Sequence, residues 1–375
     1  MNVKRIGILT SGGDCPGLNA VIESVVRCAN KEGIEVYGFI SGYDGLYLNE
    51  YKVLNASECF GLGKEGGTII KSSNKTNLFN HRKVDEKGNV TYVDDSNVAV
   101  ENLKKDKIDC LVIVGGDGSM TSGRDFKRAG VNVVCVPKTI DNDVPYTDQT
   151  FGYYTSVCQI ARSLESIRTT GYSHDRVMIA ETMGRHAGWL ALEGGISGYA
   201  DCIIIPEIPY DINKLKDFLV KRYNDGFKST VICVSEGAKP IDGEINATIN
   251  KEYPDAVKLG GIGAKLALDI ESLIKPITGQ EVRSTNLGYV QRGGDCEYFD
   301  RVLSFKYAKV AVDAILNNKF GVMVSFNGHK TELVPLERIV GDGKTGETSK
   351  GGSKNVDKDS LLLQTAKSMG IYFGD

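Results

Sequence analysis

The sequence predicts an α/β protein of two doubly wound domains with mostly parallel central sheets and an active site in the cleft between them. Short β-branched runs alternate with segments of helical period, and nearly all of those runs are too apolar for strands with one wet face. Three of the runs end in glycine-rich or acidic turns, at the carboxyl ends of strands where an open α/β sheet receives ligands.

The first run, residues 3–9, precedes an amphipathic segment in which Leu18, Val21, Ile22, Val25, Val26 and Ala29 fall on one face, the start of a βαβ unit. The alternation recurs with runs at 109–114, 131–136, 177–181, 202–205 and 230–235. Parallel sheets covered on both sides by helices account for strands this apolar. The expected division is one α/β domain over 1–150, a second over 151–320, and a C-terminal segment over 321–375 that returns to the domains. Polar stretches at 71–97 and 239–254 have neither period and are expected to form excursions or lids. Residues 341–360, rich in Gly, Lys, Ser and Asp, read as a solvated loop ahead of a short helix starting near Leu361. The GDGKT within it is not a phosphate-binding loop, because Arg338 stands where the first glycine is required and no apolar strand leads into it.

The chain has 375 residues, enough for two ordinary domains, and its 41% hydrophobic and 25% charged residues suit soluble cores of that size. A net charge of −3 gives no global field to attract nucleic acid or an anionic membrane, so neither is expected as a partner. No apolar run approaches the roughly 20 residues of a membrane span, and the N-terminus turns glycine-rich at Gly12, too early for a secretory signal. A cytoplasmic protein is expected. Nine cysteines without a CxxC pair fit free thiols in a reducing compartment, and four histidines show no metal-ligand spacing.

The first glycine-rich turn, TSGGDCPGLN over 10–19, lies between a buried strand and an amphipathic helix, where free backbone N–H groups and the helix dipole favour an anion. Gly12 and Gly13 let the backbone approach a phosphate closely, and Asp14 or Asn19 can fix the turn. Taken alone, a plain tight turn is the alternative. The second, GGDGS over 115–119, sets Asp117 among Gly115, Gly116 and Gly118, an arrangement suited to holding Mg²⁺ beside cradled phosphates. Such turns also occur in lipid and NAD kinases, so this one argues for phosphoryl transfer without choosing the acceptor. The third, PKTIDND over 137–143, carries two carboxylates two residues apart. One can take the proton of an attacking hydroxyl while the other helps hold the metal, the division of labour phosphoryl transfer requires. An exposed acidic turn explains DND by itself, but less well with GGDGS upstream.

In this order, TSGGDCPGLN, GGDGS, PKTIDND, MGRHAGWLAL, SEG and GYVQRGG resemble the 6-phosphofructokinases of the bacterial kind, with matching segments across residues 3–320. The resemblance implies transfer of a phosphoryl group from ATP with Mg²⁺, or from pyrophosphate, to the 1-hydroxyl of fructose 6-phosphate. It makes Asp141 the general base on that hydroxyl and sets Thr139 against the transferring group, with Gly12 donating a backbone N–H to it and Arg185 stabilising its developing charge. Asp117 and Asp143 govern Mg²⁺. On the donor it places Gly13, Tyr43, Gly116, Gly118, Ser119 and Lys138 with Gly12 and Asp117. On the sugar it places Met183, Gly184 and Glu236, and on its 6-phosphate Arg176, Arg283 and Arg292, with Tyr289 where the family carries a histidine. Two of those arginine positions reach across from a neighbouring subunit in the family. A homo-oligomer is therefore implied, at least a dimer, with a tetramer favoured.

The sequence departs from the family's pattern in places. Gly118 stands where pyrophosphate-using relatives carry a second aspartate, which favours ATP. Lys138 stands where the common bacterial ATP enzymes have glycine and pyrophosphate enzymes have lysine, which keeps pyrophosphate as the alternative. Asn74 replaces the arginine that bridges donor and sugar phosphates, leaving either Lys71 or Lys75 as a substitute or no bridge at all. Arg27 and Arg168 persist at the family's effector site, but Glu23, Asp225 and Phe227 stand in place of other cations, so ADP and phosphoenolpyruvate are expected to have lost their effect. Two other readings were open. A lipid or NAD kinase sharing GGDG is opposed by TIDND and the arginines, and a catalytically silent regulatory subunit is opposed by the complete set of acids and arginines.

Overall fold

The apolar runs of the sequence form the centres of two parallel sheets. The computed structural model describes residues 3–243, 247–249, 257–341 and 353–375, and the chain divides into two units. Of the described residues, unit 1 holds 3–140, 144–154 and 292–341, and unit 2 holds 141–143, the stretch from 155 to 291, and 353–375. In chain order, unit 1 contributes strands β1 (Arg5–Thr10), β2 (Glu35–Phe39), β3 (Tyr51–Leu54), β4 (His81–Val84), β5 (Val90–Val93), β6 (Cys110–Gly115) and β7 (Val133–Pro137). Unit 2 follows with β8 (Val177–Thr182), β9 (Cys202–Ile204), β10 (Thr230–Ser235), β11 (Ala247–Ile249), β12 (Val257–Leu259) and β13 (Val282–Asn286), and the chain returns to unit 1 for β14 (Val322–Asn327) and β15 (Lys330–Pro335).

The unit 1 sheet has the order β15-β14-β7-β6-β1-β2-β3. Its five inner strands run parallel, and antiparallel β3 and β15 close the edges. Every residue of β6 and β7 is buried, as their unbroken apolar sequences require. Leu9, Phe39, Leu111, Ile113, Phe126 and Val133 share one side chain cluster, each such burial stabilising by about 1.5–3 kcal/mol. The register pairs Thr10 with Val114 and Gly115 with Pro137, so the turns after β1, β6 and β7 leave the sheet side by side. The helix Leu18–Lys31 buries the face read from the sequence. It packs on the helix Tyr298–Leu316, with Ser24 Oγ donating to the Phe305 carbonyl at 3.3 Å, which brings the chain back into unit 1. Gly17 starts the first of these helices at φ +100, where a Cβ would lie 2.7 Å from Ser304 Oγ.

Unit 2 has four parallel strands in the order β13-β8-β10-β9. β8 and β10 are buried throughout, and Val177, Ile179, Ile232 and Val234 pack with Leu266 and Ile270 of the helix Ile262–Thr278. The stretch 71–97, expected as an irregular excursion, contains the antiparallel hairpin β4–β5. Within 239–254, residues 244–246 and 250–254 lie outside the described residues, and so do 342–352 with most of GDGKT. The last helix, Leu361–Ser368, begins at the expected residue. No helix among the described residues is long and apolar enough to cross a membrane.

Candidate active site

The turns that follow β1, β6 and β7 line a cavity of about 340 Å³ in unit 1, within the size range of small-molecule sites. The first brings Ser11, Gly12 and Gly13, the second Gly116, Asp117, Gly118 and Ser119, the third Lys138 and Thr139. Tyr43, Ser122, residues 73–77 and Arg292 complete the lining.

Gly12 adopts φ +83, which a side chain rarely tolerates. Its N–H, expected on the transferring phosphate, instead donates to the Ser73 carbonyl at 3.0 Å, and its own carbonyl accepts Ser72 Oγ at 2.7 Å. The loop thus commits that donor internally. The next N–H, that of Gly13, has no hydrogen-bond partner among the described residues. Asp117 opens the helix Asp117–Arg128 and is exposed, its Oδ1 accepting the Gly118 N–H at 2.7 Å. Ser119 is buried so close to Gly115 that a Cβ on that glycine would overlap it. Lys138 is 4% exposed, with its N–H on the Gly115 carbonyl at 2.9 Å and its ammonium on the Gly13 carbonyl, so it ties the first two turns together. The Thr139 carbonyl accepts Thr150 Oγ1 at 2.7 Å. Tyr43 is buried and stacks on Phe126. Burial pushes its phenol up, and its hydroxyl makes no hydrogen bond among the described residues.

No group of three or more His, Cys, Asp or Glu side chains among the described residues is placed to hold a metal. Asp117 is a single exposed carboxylate on the cavity wall. That fits a magnesium ion that takes most of its oxygen shell from phosphates and water.

The remaining expected residues lie in unit 2. Asp141 and Asp143 cluster there, with Asn142 between them at φ +53 and the Asp143 carbonyl accepting the Lys354 N–H at 2.8 Å. Met183 and Gly184 follow β8 and Glu236 follows β10, side by side because Thr182 pairs with Ser235. Gly184 sits at φ +123, its carbonyl accepting Ser235 Oγ at 2.6 Å and the Gly237 N–H at 3.1 Å. The Met183 N–H donates to Oε1 of buried Gln291 at 3.1 Å, and exposed Arg185 comes next in the loop. Arg176 and Arg283 lie at the opposite end of this sheet. Arg176 precedes β8, and Arg283 pairs with Met178 near its start. Both guanidiniums bind Glu281, at 2.8 and 2.9 Å, and Arg283 also meets Glu271 at 3.1 Å. One chain therefore does not bring them to Met183, Gly184 and Glu236. Tyr289 is 82% exposed.

Arg292, expected with the other two arginines, lines the unit 1 cavity instead. Asn74 and Lys75 line it as well, whereas Lys71, exposed at φ +57, does not. The roles of Gln291 and of Thr76 and Asn77 carried no signal of their own in the sequence.

The sequence profile described as phosphofructokinase matches residues 5–315. The ATP-dependent 6-phosphofructokinase 2 of Clostridium perfringens is 50% identical over 375 residues, covering 100% of this chain and 99% of that one. Among solved structures, phosphofructokinase from Pichia pastoris aligns with a TM-score of 0.75 at 29% identity over 98% of this chain, which spans 39% of that longer one. A pyrophosphate-dependent phosphofructokinase from Nitrosospira multiformis shares the fold, with a TM-score of 0.76 at 20% identity over 99% of this chain and 93% of that one. A profile match over most of the chain and a relative half identical from end to end make this protein a member of the phosphofructokinase family.

Proposed function

We propose that this chain is a 6-phosphofructokinase that transfers the γ-phosphoryl group of ATP to the 1-hydroxyl of fructose 6-phosphate, releasing fructose 1,6-bisphosphate. The observation that carries the reading is the unit 1 cavity, where two glycine turns, a carboxylate and a buried ammonium meet. The half-identical relative named as ATP-dependent supports the choice of donor. Phosphoryl transfer needs positioning and charge stabilisation more than covalent chemistry, and glycine backbone with fixed cations supplies both.

In this mechanism the Gly13 N–H, in place of that of Gly12, and the Lys138 ammonium hold donor oxygens. Tyr43, Gly116, Gly118 and Ser119 shape the donor's seat. Asp117, with Asp143 as second acid, would hold Mg²⁺, which when bound neutralises charge on the β- and γ-phosphate oxygens. Thr139 contacts the transferring group, Asp141 takes the proton of the 1-hydroxyl, and Arg185 stabilises the charge that develops. Met183, Gly184 and Glu236 hold the sugar. Arg176 and Arg283 serve the 6-phosphate in the site of a neighbouring copy and Tyr289 that in its own, so the working enzyme is a homo-oligomer. Nine free cysteines support its placement in the reducing cytoplasm.

A second reading, pyrophosphate as donor, is favoured by one feature, the buried Lys138 ammonium on the cavity wall. The test is product formation from fructose 6-phosphate with ATP or pyrophosphate supplied separately. Faster turnover with ATP is expected, and faster turnover with pyrophosphate reverses the donor. In the same assay Asp141→Ala should lower kcat by roughly 10² to 10⁴ with unchanged circular dichroism, and a marginal loss would remove the general base from Asp141.

A further inference from the structure

Residues 353–356 form neither helix nor strand, yet their burial alternates, with Ser353 and Asn355 exposed, Lys354 half-buried and Val356 buried. An extended segment turns every second residue to the same side. The backbone groups of Lys354 and Val356 go to loops of unit 2 that carry its expected active-site residues. The Lys354 N–H donates to the Asp143 carbonyl at 2.8 Å, and its carbonyl accepts Nε1 of Trp189 at 2.6 Å. Its ammonium lies 5.5 Å from the centre of the same indole, within the range of a cation–π contact. The Val356 N–H donates to Glu207 at 2.8 Å, a carboxylate that also accepts the Gly188 N–H at 3.0 Å, just ahead of the helix Trp189–Ser197. Gly188 and Trp189 end the loop that begins with Met183, Gly184 and Arg185. Further along, the chain is tied down again. The Ile203 N–H donates to the Tyr372 carbonyl at 2.8 Å, and the Asp211 N–H to that of Gly374 at 2.8 Å.

The acidic turn needs such support. Asn142 sits at φ +53 between the two acids, a conformation that costs a non-glycine residue energy and persists where neighbours fix it. A reacting group misplaced by about 1 Å can lose on the order of 10² in rate. We infer that residues 353–356 are a strap that positions the active site for phosphoryl transfer, with Lys354 as the positioning residue. Its N–H sets the Asp141–Asp143 turn, and its carbonyl and ammonium set Trp189. The general base and the loop of Arg185 are thereby held in one fixed relation. Lys354 acts through the turn and the indole, not on a reactant. The inference rests on reading Asp141 as the general base, and it gives the C-terminal segment a part in the reaction that none of the glycine-rich or acidic turns signals.

Trp189 is the chain's only tryptophan, so its emission reports the strap directly. Four variants separate the contacts. Lys354→Pro removes the N–H to the acidic turn, Trp189→Phe removes the indole donor and keeps a ring, and Lys354→Arg keeps a cation over the indole where Lys354→Ala does not. With fructose 6-phosphate and ATP, Lys354→Pro should lower kcat about ten- to a hundredfold and leave KM for the sugar phosphate within about threefold. Its emission should move to the red as the half-buried indole meets water. Trp189→Phe and Lys354→Ala should each lose about three- to tenfold in kcat, with Lys354→Arg staying within about twofold of wild type. In an Asp141→Ala background Lys354→Pro should add less than about threefold, because a strap that acts through the general base has nothing left to position. A red-shifted emission with unaltered kcat would mean a strap released without consequence and would overturn the inference, as would the full loss on top of Asp141→Ala. If Lys354→Pro does not fold, Trp189→Phe in the two backgrounds carries the cycle. A wild type that turns over fructose 6-phosphate while no variant changes kcat removes the strap alone. A wild type that phosphorylates no sugar removes the proposed function, and the strap's part in it.

Discussion

Gly118 is the residue at which donor choice can be separated from folding. A Cβ there meets nothing within 4 Å, and its φ lies outside the left-handed region, so the chain has room for a side chain. Gly118→Asp should leave the melting temperature within the small range of surface substitutions. Its carboxylate would enter the cavity beside Asp117 and oppose the α-phosphate of a nucleotide. The expected result is loss of ATP turnover with pyrophosphate turnover retained or gained, read from steady-state kinetics with each donor. Unaltered ATP kinetics would move the determinant of donor choice elsewhere, with Lys138 the next residue to change. These turn residues were legible because each follows an apolar run by a few positions. The partner of the Gly12 N–H was not, since Ser73 lies on a loop with no period. Nor was the seat of Arg292, whose guanidinium lies against the bare Cα of Gly13, far away in the chain.

Strands were readable to the extent that both faces are covered. β1, β6, β7, β8 and β10 are almost wholly buried and stand out as apolar runs, whereas β13 reads VRSTN with four exposed residues at the edge of its sheet. β15, another edge, reads KTELVP and also has four exposed residues. One buried polar residue organises several of these elements. Glu181, 2% exposed near the end of β8, accepts the N–H groups of Gly261 at 2.9 Å and Gly263 at 2.8 Å at the start of the helix Ile262–Thr278, and Nδ2 of Asn286 on β13 at 2.6 Å. The helix dipole adds to these donors, and the clamp stands directly ahead of Met183 and Gly184. In Glu181→Gln the amide group turns donors toward donors and the charge is lost, which should cost about 1–3 kcal/mol. Urea denaturation should show a lower midpoint at unchanged slope. A midpoint equal to that of the wild type would mean that the three bonds are replaced by water at no cost.

Across the whole molecule, cations that the family pattern would free for ligands are already paired inside the chain. Arg27 meets Glu23 at 3.0 Å, and buried Glu23 also accepts the Gly63 N–H at 2.8 Å; Arg168 meets Asp201 at 3.3 Å, a carboxylate that also holds Arg222, outside that pattern, at 2.9 Å. A phosphate effector would have to displace seated carboxylates, so neither ADP nor phosphoenolpyruvate is expected to change the kinetics. Arg176 and Arg283 have a different problem, one of distance. The six residues of β8 separate Arg176 from Met183, about 20 Å of strand, too far for an arginine side chain to serve the sugar end of its own sheet. Their use on a 6-phosphate requires a second copy, and that requirement can be read by complementation. Arg283→Ala and Asp141→Ala damage different contributors to one shared site, so each is defective alone at sub-saturating fructose 6-phosphate. Mixed at equal amounts during refolding, half of the dimers are hybrids, and each hybrid holds one site with both residues intact, so activity should return to about one quarter of wild type. If native mass spectrometry shows hybrids and activity stays at the level of the unmixed variants, both residues act within a single chain's site, and the 6-phosphate must find its cations elsewhere.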